Sequence, residues 1–251
     1  YVAREGSEST FSTVPSSHNL ADIRGPLLID GASTADRELK VAVMLASEDP
    51  GTLPDIDTGD VAEETRDDRL FVFNDGSATG APGTLADSAT TGATRTLLNG
   101  LVMGDGTVMI GDDIYDYGIS YAGIEITEIL LGTGDDDLTV DVDTQTADGT
   151  AAQASTLIHG GGGSDTITLE DSAADSLTVG FGDTDTDGAR YNFLGGARNG
   201  NGAVFDAVGS PLTHGDVIDA SALEAYQTVA LFGGIGADSL RGGAANDHIS
   251  G

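Results

Sequence analysis

Gly233-Gly234-Ile235-Gly236-Ala237-Asp238-Ser239-Leu240-Arg241 runs without a break into Gly242-Gly243-Ala244-Ala245-Asn246-Asp247-His248-Ile249-Ser250. Both units follow G-G-x-G-x-D-x-U-x, where U is apolar, a pattern of parallel β-helical turns. The glycines admit a tight turn with left-handed backbone. The aspartate places a hard anionic oxygen in that turn, the donor Ca²⁺ prefers. The apolar residue two places on opens a short strand and points to a core. The first unit keeps every defined position; the second has Ala245 at the fourth.

The phrase recurs upstream. Residues 160–168, GGGGSDTIT, are a complete match, and residues 131–139, LGTGDDDLT, lack only the first glycine. A shorter core, acid followed by alternating apolar residues, appears at Asp68–Val72, Asp136–Val140, Asp165–Leu169 and Asp175–Val179. Such writing predicts an all-β chain, a right-handed parallel β-helix or β-roll. Adjacent strands lie about 4.8 Å apart. Two turn carboxylates stacked at about 5 Å repel by roughly 3 kcal/mol at an effective dielectric of about 20. A cation between turns reverses that term, so the chain is expected to be loose without calcium and folded with it.

Composition agrees. Glycine supplies 37 of 251 residues, aromatic residues only 5%, and tryptophan is absent, which suits a thin, repetitive core. Net charge is −32, and 32 of the 42 acids are aspartate; Lys40 is the single lysine. Such a chain repels nucleic acid and anionic membranes. The aspartate excess points to turns and metal, the scarcity of lysine to a high-salt habitat. The absence of cysteine fits a secreted protein in which metal replaces disulfides. No apolar run approaches the ~20 residues of a membrane span. The chain begins at Tyr1 without a leader and reads as a processed product or an excerpt.

Residues 1–20 read as an irregular lead-in and residues 21–251 as one elongated repeat domain, with loops at 47–67 and 74–96 and the tandem units at 233–251. Gly25 onward resembles a worn repeat. Strands are expected at 70–73, through LVM, TVMI, ISYAG, IEITEILL and DLTVDV between 97 and 142, then at 155–159, 166–170, 176–181, 190–194, 203–208, 217–218, 228–232 and near 240 and 249. No segment of a dozen residues has a helical period, and 220–227 has room for one short turn.

The tandem units resemble the RTX (repeat-in-toxin) family of secreted calcium-binding proteins. The order of phrases from residue 24 to 170 is similar to long repeats of very large microbial surface proteins, adhesin-like or matrix components. The RTX resemblance implies Ca²⁺ between turns, held by sixth-position aspartates and glycine-turn carbonyls. Here that implicates Gly132, Gly134 and Asp136; Gly160, Gly161, Gly163 and Asp165; Gly233, Gly234, Gly236 and Asp238; and Gly242, Gly243, Asn246 and Asp247. Asp36 and Asp68 lack the flanking glycines. Asp183-Thr-Asp185-Thr-Asp187-Gly188 opens like an EF-hand loop, but position twelve is Leu194 and no helix follows. Three carboxylates on one loop fit either Ca²⁺ or a plain acidic turn. The same choice holds at Asp55, Asp57 and Asp60.

Enzyme readings lack a constellation. His18, His159, His214 and His248 form no metal pattern, and no GxSxG or cysteine nucleophile occurs. His159 and His248 read as outward-facing. Acid pairs such as Asp112-Asp113 lack a basic or aromatic groove, and Tyr115, Tyr117 and Tyr121 read as cross-strand packing. The sequence points to an extracellular, secreted or cell-surface module, structural or adhesive, part of a fibre, surface layer or giant adhesin. The alternative is a calcium-folded module of a secreted enzyme or toxin whose catalytic part lies elsewhere. Expected partners are calcium ions and copies or further repeats of itself; a carbohydrate- or ice-binding face would need longer threonine ladders than Thr139, Thr166, Thr168 and Thr178. Consecutive units should lie on opposite edges, each turn stacking on one eighteen residues away. Eighteen before Asp238 is Ala220 and eighteen before Asp247 is Val229, so earlier turns should offer these two few ligands, and residues after Gly251 or another subunit should complete their sites.

Overall fold

The computed structural model describes residues 18–31, 68–74, 76–88, 95–142, 155–172, 177–183, 214–234 and 236–251. The loop expected at 47–67, the strands expected at 190–194 and 203–208, Asp36, Asp55, Asp57, Asp60, Asp175, Asp185 and Asp187 lie outside these residues.

The described chain is all-β apart from one 3₁₀ turn, η1 (Leu20–Asp22). Its strands are β1 (Pro26–Asp30), β2 (Arg69–Phe73), β3 (Pro82–Ser88), β4 (Arg95–Gly100), β5 (Thr107–Ile110), β6 (Asp113–Asp116), β7 (Gly118–Ala122), β8 (Ile126–Leu130), β9 (Asp137–Asp141), β10 (Ser155–His159), β11 (Thr166–Asp171), β12 (Leu177–Phe181), β13 (Val217–Asp219), β14 (Thr228–Phe232), β15 (Ser239–Arg241) and β16 (His248–Ser250). One sheet runs β1-β7-β4-β3-β9-β11-β13-β15, the other β16-β14-β12-β10-β8-β2; β5 and β6 pair only with each other. From β8 onward the chain alternates between the two large sheets. Each passage through both is one circuit, and successive circuits pair in parallel.

Alternation within each strand builds the core. Register aligns Val72, Ile129, Ile158, Gly180, Leu231 and Ile249 in one sheet. It aligns Gly83, Leu138, Ile167, Ile218 and Leu240 in the other. Apart from the glycines and Ile249, the two columns belong to one apolar cluster, with Leu240 packed against it. Gly180 leaves room there: a Cβ would lie 3.4 Å from Ile218 and 3.5 Å from Leu231. Beside the first column runs a buried file of Thr127, Thr156 and Thr178, capped by Val229. Burial of Tyr121, near the Thr127 and Thr96 hydroxyls, pushes its phenol up to about 12.

The N-terminal part departs from this plan. Residues 82–88, expected as loop, form β3, which pairs antiparallel to β4 and parallel to β9. Its residues are small apart from Leu85, which is fully buried, so pairing on both sides makes the strand. Leu101 and Val102, expected to lie in a strand, instead form a turn with φ of 46° and 62°. Thr178 points inward, whereas Thr84, Thr139 and Thr168 form a short outward file that ends at Asp219.

Candidate metal centre

The glycine–aspartate turns connect strands of opposite sheets along one edge. They comprise 131–136 between β8 and β9, 160–165 between β10 and β11, and 233–238 between β14 and β15. The β2–β3 connection, 74–81, and the ends of the long β12–β13 connection, at Gly182 and Asp216, stack with them. First positions are tied by backbone bonds: Asn74 N–H to Leu130 O (2.8 Å), Leu131 to His159 (2.9 Å), Gly160 to Phe181 (2.9 Å), Gly182 to Phe232 (2.8 Å) and Gly233 to Ser250 (2.8 Å).

The sixth positions form a second ladder, made by side chains. Ala81 N–H donates to Asp136 Oδ1 (2.9 Å), Asp136 N–H to Asp165 Oδ1 (2.8 Å), Asp165 N–H to Asp216 Oδ1 (2.8 Å) and Asp216 N–H to Asp238 Oδ1 (3.0 Å). Each aspartate reaches back and satisfies the amide at the same place in the preceding circuit. The opposite edge repeats the rule: Asp68 N–H donates to Glu125 Oε2 (2.6 Å) and Val229 N–H to Asp247 Oδ1 (3.2 Å).

The second carboxylate oxygens explain the first glycines. A Cβ on Gly160 would meet Gly182 O at 2.1 Å and Asp165 Oδ2 at 2.6 Å. On Gly182 it would lie 2.5 Å from both Asp216 Oδ2 and Gly233 O. On Gly233 and Gly242 it would meet Asp238 Oδ2 (2.5 Å) and Asp247 Oδ2 (2.4 Å). First-position glycine therefore makes room for a carboxylate. Left-handed backbone belongs to Gly161 (φ 96°), Gly163 (φ 123°) and Gly234 (φ 93°). Gly132 and Gly134 pack on the backbone of Ser77 and Gly80, and their carbonyls face Gly161 and Gly163. A Cβ on Gly236 would crowd His214 O, and one on Gly243 would meet Leu223 and Ala220 O. Asn246 is exposed.

Stacking buried acids has an electrostatic cost. Asp165, 1% exposed, has its pKa raised to about 8 by burial, with the charges of Asp216, Asp136 and Asp135 adding to the shift against the Asp136 N–H. Asp216 is raised to about 6, by burial and then by Asp183 and Asp238. Burial also raises Asp136, opposed by bonds from Ala81 and Gly132. Asp165 Oδ2 is buried without a hydrogen-bond partner. It shares the space over Gly160 with the Gly182 carbonyl. A buried, unpartnered carboxylate oxygen beside a carbonyl is a hard-oxygen donor set that fits Ca²⁺. Among the described residues no three acidic or histidine side chains converge on one point. The acids form a file instead, and carbonyls lie between them.

Asp136, Asp165 and Asp238 thus share one edge, and Asp183 joins them, its Oδ2 2.2 Å from the Cβ position of Gly234. Asp247, Gly242, Gly243 and Asn246 lie on the opposite edge, as the alternation of units requires. The eighteen-residue spacing holds for Asp247 over Val229 but not for Asp238, which stacks on Asp216, twenty-two residues back. The β13–β14 connection and β14 are longer than their counterparts in the last circuit. Asp238 therefore has a carboxylate beneath it, contrary to the expectation of few ligands. Asp216 escaped the sequence reading, although Gly215-Asp216-Val217-Ile218 repeats the acid-then-alternation signal.

His159 faces outward, as expected. It stands on the outward side of β10 yet is buried, stacked on Phe181 at 4.6 Å and 3.0 Å from Glu128 Oε1. Phe181 stacks in turn on Phe232 at 5.1 Å. His248 is exposed. Comparison with models of known families gives no match, and neither curated proteins nor solved structures match the chain.

Proposed function

We propose that this chain is an extracellular, calcium-dependent structural or adhesive module, folded as a right-handed two-sheet β-roll with Ca²⁺ between successive glycine–aspartate turns. The observation that carries the reading is Asp165: a carboxylate 1% exposed, one oxygen bonded to the neighbouring circuit and the other unpartnered beside a carbonyl. Asp136, Asp165, Asp216, Asp238 and Asp183 would hold the ions on one edge with the Gly182 and Gly233 carbonyls, and Asp247 would do so on the other. The bound ion supplies positive charge that relieves repulsion along the file. The chain's own residues orient the oxygens, and glycines keep the space clear.

Circuits that pair only with their neighbours extend a body along one axis, which suits a spacer or adhesive arm. Calcium at extracellular levels would fold it, and submicromolar cytosolic calcium would leave it open. Its partners would be further repeats, copies of itself or a carbohydrate surface.

A calcium titration followed by far-ultraviolet circular dichroism and melting tests this. A gain of β signal and a rise in Tm are expected, and Asp165→Ala should weaken calcium binding more than Asp112→Ala in the exposed β5–β6 turn. Equal stability in EDTA and in millimolar calcium would sink the proposal.

A further inference from the structure

The outward faces of the two large sheets carry different chemistry. On β9, β11, β13 and β15 the outward residues include Asp137, Thr139, Asp141, Thr168, Asp219 and Arg241. On β2, β8, β10, β12 and β14 they are the first, third and fifth of each strand, since Val72, Ile129, Ile158 and Leu231 point to the core. Phe71, Leu157, Val179 and Ala230 share the middle column with Glu128, and Ile126 and Leu177 stand beside it. Glu128 is the single acid among these outward residues, and it lies 3.0 Å from His159 Nε2. Arg69 stands at one corner. A chain with 42 acids in 251 residues thus keeps nearly all of them off this face.

The face is open to contact. Phe71 is 47% and Leu177 42% exposed, and Leu157, Val179, Phe181 and Phe232 are half-buried. A contiguous apolar patch rimmed by polar residues marks an interaction site. The rim here is acidic. Asp68, Glu125, Glu224 and Asp247 line the edge where the chain enters β2, β8, β14 and β16, and none of the four is buried. Strand spacing and rise make the strip about 24 Å long over five strands and about 13 Å wide, roughly 300 Å² in plan.

We infer that this sheet face docks a basic amphipathic helix of a partner protein. The helix lays its apolar side on the Leu157–Val179 column and sets Lys or Arg beside Asp68, Glu125, Glu224 and Asp247. Charge and size both select it. A helix is about 10–12 Å across and rises about 1.5 Å per residue, so about 16 residues cover the strip. Apolar anchors at helical spacing supply the affinity. The basic flank answers the acidic rim and the net charge of −32, which also speeds encounter. A second copy fits poorly: it brings the same acids to the same rim, and the strip falls short of the roughly 800 Å² per partner that a stable interface buries. An anionic membrane is repelled by the same charge. The inference rests on register, burial and charge and is independent of the calcium reading.

The test uses the full chain in millimolar calcium and a fluorescent leucine–lysine peptide of about 16 residues, with leucine confined to one helical face. Anisotropy should show saturable binding, and circular dichroism a gain of helix in the bound peptide. A peptide of the same composition scrambled to have no apolar face should bind at least about tenfold more weakly, as should one with glutamate for lysine. In the protein, Leu177→Glu and Phe71→Glu change side chains that are already exposed, so the melt should hold. Each adds an acid yet should weaken binding by about tenfold, because it breaks the apolar strip. Thr168→Glu adds the same charge to the other sheet and should leave binding equal or slightly tighter. Attraction to charge alone would instead make all three variants bind more tightly. The inference is overturned if the peptide does not bind, if either control peptide binds like the parent, or if Leu177→Glu and Phe71→Glu bind as Thr168→Glu does. It is also overturned if light scattering shows a dimer that Leu177→Glu dissociates, since the occupant would then be a second copy.

Discussion

Raising the pH in the absence of calcium is expected to unfold this chain, and Asp165 sets the scale. Its carboxyl is buried, its Oδ2 has no partner, and Asp216, Asp136 and Asp135 act on it, so its folded pKa rises from 3.8 to about 8. A raised pKa means that the folded chain holds this proton more tightly than the unfolded chain. Its stabilisation is fully present below about pH 4 and is lost as the pH climbs through about 8. One proton is worth about 1.4 kcal/mol per pH unit, so the window amounts to something on the order of 5 kcal/mol, comparable with the whole stability of many domains. Asp216, raised to about 6, adds a loss between roughly pH 4 and 6. Calcium reverses the sign, because it binds the deprotonated oxygens. The assay is denaturant unfolding in EDTA from about pH 4.5 to 8.5, repeated in calcium, for the parent and for Asp165→Asn. Asn retains an oxygen for the Asp136 amide but does not titrate, so the variant should lose most of one proton's slope. Apo stability that is flat or rising across this range, or an unchanged slope in Asp165→Asn, would refute the reasoning.

Other expectations follow from the same geometry. Gly160→Ala puts a methyl 2.1 Å from Gly182 O and 2.6 Å from Asp165 Oδ2; it should cost roughly 1–3 kcal/mol and weaken calcium binding. Gly25→Ala, with nothing within 4 Å, should change the melt little. Ile158→Ala, in the middle of a core column and fully buried, should destabilise by roughly 2–5 kcal/mol in a denaturant titration. Asp216→Ala should lower calcium affinity as much as Asp165→Ala, and isothermal calorimetry would detect a failure. Molar NaCl without calcium should screen the acidic surface yet leave residues 233–251 unprotected in hydrogen exchange; full protection there would overturn the ligand role.

Much of this was legible in the sequence. Acid followed by alternating apolar residues located β2, β9 and β11, and apolar runs located β8, β10 and β14, because one period-two rule serves every circuit. The file of Asp136, Asp165 and Asp238 was legible for the same reason. Asp216 was not, since the turn before it lacks the contiguous glycines and the long β12–β13 connection breaks the nine-residue count. β3 was hidden because residues 82–88 are mostly small, and their strand comes from neighbours on both sides. The reason for glycine at the first position was also invisible. It depends on where the carboxylate at the far end of the same connection comes to rest, five residues on from Gly160, Gly233 and Gly242 and across the long β12–β13 connection from Gly182.

The acids that stand immediately before the strands bond one way, each to an amide of the preceding circuit, and give the molecule a mechanical polarity. Each circuit donates the acceptor that finishes the circuit before it, so removing the last circuit exposes one fresh pair of amides and one fresh pair of apolar ends. A load applied at the C-terminus would meet the body as a series of small steps, three paired residues at β16 and β15 and five at β14, and peel it strand by strand. The same load applied along the sheets must shear many circuits together. An arm built this way would be compliant when pulled from its tip and stiff when pulled along its length.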